Sequence, residues 1–74
     1  MNLFFPGAII SVYIDKLGNF YVESESGNTT YLNIFDENGD QMANVSYHGY
    51  IVYYGLNDIF LYDNENQQYY RFEF

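Results

Sequence analysis

The chain has 74 residues, with ten acidic side chains against two basic ones, a formal charge of −8, ten tyrosines, seven phenylalanines and no cysteine. This size suits one domain, and the lack of cysteine excludes disulfides and thiolate metal sites and fits a reducing cytosol. The aromatic content excludes a disordered acidic tail, which has no core to build. Two cations, Lys16 and Arg71, exclude direct nucleic-acid binding, whose affinity comes from neutralising phosphates.

Residues 1–7 read as a short lead-in. The apolar stretch from Met1 to Ile14 has no basic residue before Lys16, is interrupted by Pro6-Gly7, and is shorter than the roughly 20 residues of a membrane-spanning helix. No export signal and no membrane contact are expected, and the location is expected to be cytoplasmic.

From Ala8 onward the periodicity is two. Ala8, Ile10, Val12 and Ile14 alternate with Ile9, Ser11, Tyr13 and Asp15, which predicts a strand over 8–15. Phe20 and Val22 against Tyr21, Glu23 and Glu25 predict 19–25, and Thr30, Leu32 and Ile34 against Tyr31, Asn33 and Phe35 predict 29–36. Strands at 41–47 and 50–54 follow. Ile59 and Leu61 against Phe60 and Tyr62 predict 58–63, and Tyr70, Phe72 and Phe74 against Tyr69, Arg71 and Glu73 predict 67–74. Gly, Asn and Asp clusters separate the runs, with Asn38-Gly39 the strongest hairpin signal. The fold class is all-β: a small antiparallel meander of six or seven short strands, forming a curled sheet, barrel or small sandwich, in one domain over 1–74.

The stretch Gly18–Asp40, with GNFYVES, SGN and IFDENGD, resembles the paired strands of an NHL-type propeller blade over about a third of the chain. A propeller needs several four-stranded blades, so the resemblance implies hairpins and no function.

The chemical motifs are incomplete. Asp36-Glu37-Asn38-Gly39-Asp40 begins like a calcium loop, but Gln41 stands where the sharp-turn glycine belongs and Tyr47 where a bidentate glutamate belongs. Glu23 and Glu25 share a strand face, as paired carboxylates for glycoside hydrolysis do, yet a meander this small makes no water-excluding cleft. Ser46 and His48 share a face as well, with no third group or oxyanion hole in view. One histidine and no cysteine leave no zinc site. No catalytic residue, cofactor or metal is expected, and the chain reads as non-enzymatic.

A folded anionic surface steers toward a basic partner. The residues expected to present it are Glu23, Glu25, Asp36, Glu37, Asp40, Asp58, Asp63 and Glu65. In size and charge the chain resembles phage-encoded antagonists of host or defence proteins, including DNA-mimic anti-restriction and anti-CRISPR proteins. The resemblance implies a decoy occupying the basic surface of a nucleic-acid-binding protein. The alternative is an assembly or docking module, a homo-oligomer among its forms, that uses the closing strand with Tyr69, Tyr70, Phe72 and Phe74. A third reading takes exposed tyrosines as carbohydrate-stacking platforms.

Overall fold

Every expected strand forms in the computed structural model, which describes residues 7–74, and no strand end moves by more than one residue. The strands are β1 (Ala8–Ile14), β2 (Phe20–Ser26), β3 (Thr29–Phe35), β4 (Gln41–Tyr47), β5 (Gly49–Tyr54), β6 (Asp58–Asp63) and β7 (Gln68–Glu73). None of the described residues is helical, so no helix among them is long and apolar enough to cross a membrane. Of the lead-in expected over residues 1–7, all but Gly7 lies outside the described residues.

The meander divides in two. Strands β1-β2-β3-β4 form a four-stranded antiparallel sheet and β5-β6-β7 a three-stranded one. The sheets do not close into a barrel, so of the three expected forms the small sandwich is the one adopted. The division falls at His48, the single residue between β4 and β5. There the chain passes so close to β6 that a Cβ on Gly49 would lie 1.7 Å from the Tyr62 carbonyl oxygen. Only glycine fits that corner.

Turn chemistry sets the hairpins. Gly27-Asn28 joins β2 to β3 with Gly27 at φ +62°, the type II′ pattern that matches strand twist. The β1–β2 and β3–β4 turns repeat one arrangement. Asp15 Oδ1 accepts the N–H groups of Leu17 and Asn19, and Asp36 Oδ1 accepts those of Asn38 and Asp40, all at 2.9 Å. In Asn38-Gly39 only the glycine has positive φ, so the pair closes this longer turn and does not make a two-residue type I′ hairpin.

Between the sheets lie Tyr21, Leu32, Ile34 and Tyr47 from one side and Ile59 and Leu61 from the other, with Ala43, Val45, Ile51, Tyr54, Phe72 and Phe74 packed around them. Each large apolar side chain buried there contributes about 1.5–3 kcal/mol. The molecule measures 35 × 26 × 15 Å, and its short dimension leaves room for a single interior layer of side chains.

Three β-bulges decide which residues reach which face. Ile10, Met42 and Val52 are each the extra residue where the register slips, between Ile9 and Ser11, opposite Ile34–Phe35, and between Ile51 and Tyr53. The first overturns the strict alternation expected for β1: Ile9 pairs with Ser24 and joins Val12 and Ile14 on the outer face, while Ser11 and Tyr13 turn inward opposite Glu23 and Tyr21. On that same outer face β2 sets Phe20, Val22 and Ser24, and β3 sets Tyr31, Asn33 and Phe35. Strand β4 completes it with Gln41, Asn44 and Ser46.

Candidate functional site

The outer face of the three-stranded sheet concentrates aromatic side chains in cross-strand rows. Tyr50 on β5, Tyr62 on β6 and Tyr69 on β7 are register partners and form one row. Tyr53, Phe60 and Arg71 form the next, and Asp58 opposite Glu73 closes the face at its end. Val52 is responsible for the second row. As the extra residue of its bulge, it lets Tyr53 stay outward opposite Phe60 while Tyr54 points into the core opposite Ile59.

The rings touch along the rows. Tyr50 and Tyr62 have centroids 5.4 Å apart, Tyr62 and Tyr69 meet edge-to-face at 4.9 Å, and Tyr53 and Phe60 lie 6.3 Å apart. Tyr53 and Tyr69 remain 62% and 69% exposed. The Arg71 guanidinium sits 6.0 Å from the Phe60 ring centre, within cation–π range. Its Nε donates to Asp58 Oδ2 at 2.7 Å, and Nη1 pairs with Glu73. The hydrogen bond to Asp58 and the charge of Glu73 raise the Arg71 pKa further. One of the chain's two cations is thereby neutralised on a face otherwise aromatic and acidic.

The eight acidic residues expected to form one face are divided. Glu23 lies between the sheets, where its carboxylate accepts the Tyr47 hydroxyl at 3.1 Å and the Tyr54 hydroxyl at 3.0 Å. Asp36 is spent on its turn. Asp63 is buried, accepting the Glu65 N–H at 3.0 Å and the Asn66 amide at 2.7 Å. Asp58 is paired with Arg71. Glu25, Glu37, Asp40 and Glu65 are solvent-exposed. Glu37 and Asp40 project at the end that holds the β1–β2 turn, and Glu25 and Glu65 line an open hollow at the other end. Sequence alternation groups Glu23 with Glu25 correctly, but its tyrosine partners lie 24 and 31 residues away, beyond any local pattern.

The closing strand is divided too. Tyr69 and Arg71 belong to the outer face, while Phe72 and Phe74 pack against the core. Tyr70 borders a groove of about 330 Å³ between the edges of β4 and β7, floored by Val45, Leu61 and Phe72. Phe72 and Phe74 are therefore partly buried, on the side of the strand that faces the core. His48 donates from Nδ1 to the Asn28 carbonyl at 2.9 Å and has Nε2 3.7 Å from Glu65. It ties three loops together and does not turn Nδ1 toward Ser46. Among the described residues no group of three or more His, Cys, Asp or Glu is placed to hold a metal ion.

The interior polar groups are tuned by this packing. Burial, reinforced by the Glu23 charge and hydrogen bonds, drives the Tyr47 and Tyr54 pKa values well above the ordinary tyrosine range. Burial and the hydrogen bond to Asp15 do the same for Tyr21. For Asp15, burial pushes upward, but the Asn19 N–H, the Tyr21 hydroxyl, the Asn19 side chain and the Leu17 N–H together hold it below the usual carboxylate range. These groups hold the sandwich together and leave the aromatic face as the concentration of exposed, chemically distinctive side chains. No protein-family model, curated protein or solved structure matches this chain.

Proposed function

We propose that this protein is a non-enzymatic binding module that docks onto a protein partner bearing a basic surface, with the aromatic outer face of the three-stranded sheet as its contact. The observation that carries this reading is the pair of rows Tyr50–Tyr62–Tyr69 and Tyr53–Phe60–Arg71. Tyrosine supplies large contact area at low entropic cost and dominates binding hot spots. Arg71 over Phe60, held by Asp58 and Glu73, is an internal example of how the face receives a guanidinium. A partner's Arg or Lys would find the same ring faces, and the formal charge of −8 would speed its approach.

The partner fits the decoy role when it is a nucleic-acid-binding protein whose basic groove is occupied. The module then competes by covering that groove with aromatic contact. Continuous mimicry of a phosphate backbone has less support, because the exposed carboxylates sit at opposite ends of the sandwich.

Affinity capture from lysate, followed by measurement of the recovered complex, tests this reading. The Tyr53→Ala, Tyr69→Ala double variant is expected to lose at least about 30-fold in affinity, as for central aromatic contacts. Raising salt from about 50 to about 500 mM is expected to weaken the complex by screening. Unchanged affinity in the double variant, or an acidic partner, overturns the proposal.

A further inference from the structure

At the end of the sandwich that holds the β2–β3 and β6–β7 turns, an open hollow of about 400 Å³ is lined from both sheets. Glu25, Asn28 and Thr30 come from one side, Asn64 and Glu65 from the other, and His48 stands where the chain crosses between them. No Lys or Arg lines it. Its walls are tied together: the Asn64 N–H donates to the His48 carbonyl at 2.7 Å, and His48 Nδ1 donates to the Asn28 carbonyl at 2.9 Å.

Two observations single out a donor-rich ligand. The first is His48. A carbonyl only accepts, so in the neutral imidazole the proton is on Nδ1 and Nε2 is an acceptor. That nitrogen lies 3.7 Å from the Glu65 carboxylate, acceptor against acceptor. The second is Thr30, which is only 5% exposed and lies opposite Glu25 in register. Its hydroxyl meets no hydrogen-bonding partner and is not sealed off, so it opens into the hollow it lines. A buried polar side chain without a partner is the exception in a folded protein.

We propose that this hollow binds a primary ammonium group, carried by a small alkylamine or by a lysine side chain. An ammonium is a compact cation with three donors and no acceptor. It donates to His48 Nε2, to Glu65 and to the Thr30 hydroxyl, while Glu25 adds a second negative charge at the rim. The flat fork of a guanidinium suits a bidentate carboxylate instead, and a quaternary ammonium has no N–H to give. Among the described residues no three His, Cys, Asp or Glu are grouped to hold a metal, so hydrogen bonds and not coordination select the ion. The hollow is open, which lets the alkyl chain leave toward solvent. None of its lining residues belongs to the rows Tyr50–Tyr62–Tyr69 and Tyr53–Phe60–Arg71, so the site is separate from the aromatic contact and is tested separately.

Amide NMR titration of the full chain tests the proposal, at about pH 8, where an ordinary imidazole is neutral. With n-butylammonium as probe, saturable shifts are expected at Asn28, Thr30, Gly49 and Glu65, with a dissociation constant of about 1 mM or weaker, as suits a few solvent-screened hydrogen bonds. Tetramethylammonium, equal in charge but without N–H donors, is expected to leave those amides in place. Glu65→Gln and, separately, Thr30→Val are each expected to weaken binding at least about threefold, the size of one net hydrogen bond, while the Tyr53→Ala, Tyr69→Ala double variant leaves it unchanged. Amide dispersion reports whether each variant folds; if Thr30→Val does not, Glu65→Gln decides. Acetyl-Gly-Lys-Gly-amide separates the two sources: binding at least as tight as the amine assigns the hollow to a protein lysine, and exclusion of the peptide assigns it to a free amine. Shifts spread over the whole chain, an equal response to tetramethylammonium, or binding that neither variant weakens overturns the proposal.

Discussion

The Tyr54 hydroxyl on β5 donates to Glu23 Oε1 on β2 at 3.0 Å, so a carboxylate joins the two sheets from inside the sandwich. Tyr47 donates to the other oxygen at 3.1 Å. Removing the acceptor leaves two part-buried hydroxyls without their partner, and hydrogen bonds to a charged group contribute about 1.5–3 kcal/mol each. Glu23→Ala is expected to destabilise the fold by about 2–4 kcal/mol in urea titration. Glu23→Gln, which keeps one carbonyl acceptor, is expected to cost roughly half as much. Equal stabilities for the two variants would show that charge and acceptor count are irrelevant there.

The same tyrosines set the alkaline limit. Tyr21, Tyr47 and Tyr54 have folded-state pKa values raised above the ordinary value, which is near 10. Above that pH the unfolded chain releases protons that the folded chain retains, so unfolding becomes progressively easier. Stability is expected to be flat up to about pH 9 and then to fall by at most about 1.4 kcal/mol per pH unit per tyrosine. Denaturation midpoints across that range, with tyrosinate absorbance recorded on the folded protein, check both halves of the claim. Early tyrosinate absorbance from all ten tyrosines without loss of structure would contradict it.

At acid pH the relevant group is Asp15, whose folded-state pKa is lowered. Its contribution is complete above the ordinary carboxylate value of about 3.9 and is lost as pH falls through the lowered value. Asp15→Asn keeps an oxygen for the Leu17 and Asn19 N–H groups but no longer titrates. The variant is expected to be less stable than the parent at neutral pH and to narrow that gap below about pH 3.5. A gap that stays constant with pH would assign the effect to shape alone.

Gly49 offers a steric test of the corner between the sheets. A Cβ there meets the Tyr62 carbonyl oxygen at 1.7 Å, so Gly49→Ala must move backbone, and overpacking of this kind costs about 1–3 kcal/mol or more. Because Tyr62 lies in the row with Tyr50 and Tyr69, the displacement also reaches the aromatic face. Gly27→Ala is the comparison. It meets no atom within 4 Å, and its cost of about 1 kcal/mol comes from positive φ alone. Partner affinity is expected to fall for Gly49→Ala and to hold for Gly27→Ala.

Local pattern carries the strands and their ends, because alternation and Gly, Asn or Asp punctuation act within a few residues. It also carries the inward side of β6 and β7, where Ile59, Leu61, Phe72 and Phe74 follow strict alternation into the core. It does not carry the three bulges. Ile10, Met42 and Val52 look like ordinary strand residues, yet each shifts its neighbours from one face to the other. Nor does it carry the fate of acids that fold inward. Glu23 reads as a surface residue until Tyr47 and Tyr54 arrive from β4 and β5. Asp36 is different, because the repeated spacing Asp15–Gly18 and Asp36–Gly39 is a local signal that marks both aspartates as turn carboxylates.

The bulge in β5 makes a prediction that substitution cannot. Ile51 pairs with Leu61, and Tyr53, not Val52, pairs with Phe60, so Val52 lies outside the ladder and half of it is exposed. Deleting Val52 brings Tyr53 directly after Ile51, and regular pairing then places Tyr53 opposite Phe60 and Tyr54 opposite Ile59, as before. The deletion is expected to fold, with a stability change within about 1 kcal/mol because only local twist is lost, and to keep the Tyr54–Glu23 bond and the aromatic rows. Deleting Tyr53 instead puts Val52 opposite Phe60 and removes a ring from the face, so the chain should fold while partner affinity falls by about tenfold or more. Amide exchange and partner titration on the two deletions separate these outcomes. An unfolded Val52 deletion would mean that the bulge is required by the fold, and equal affinity for the two would remove Tyr53 from the contact.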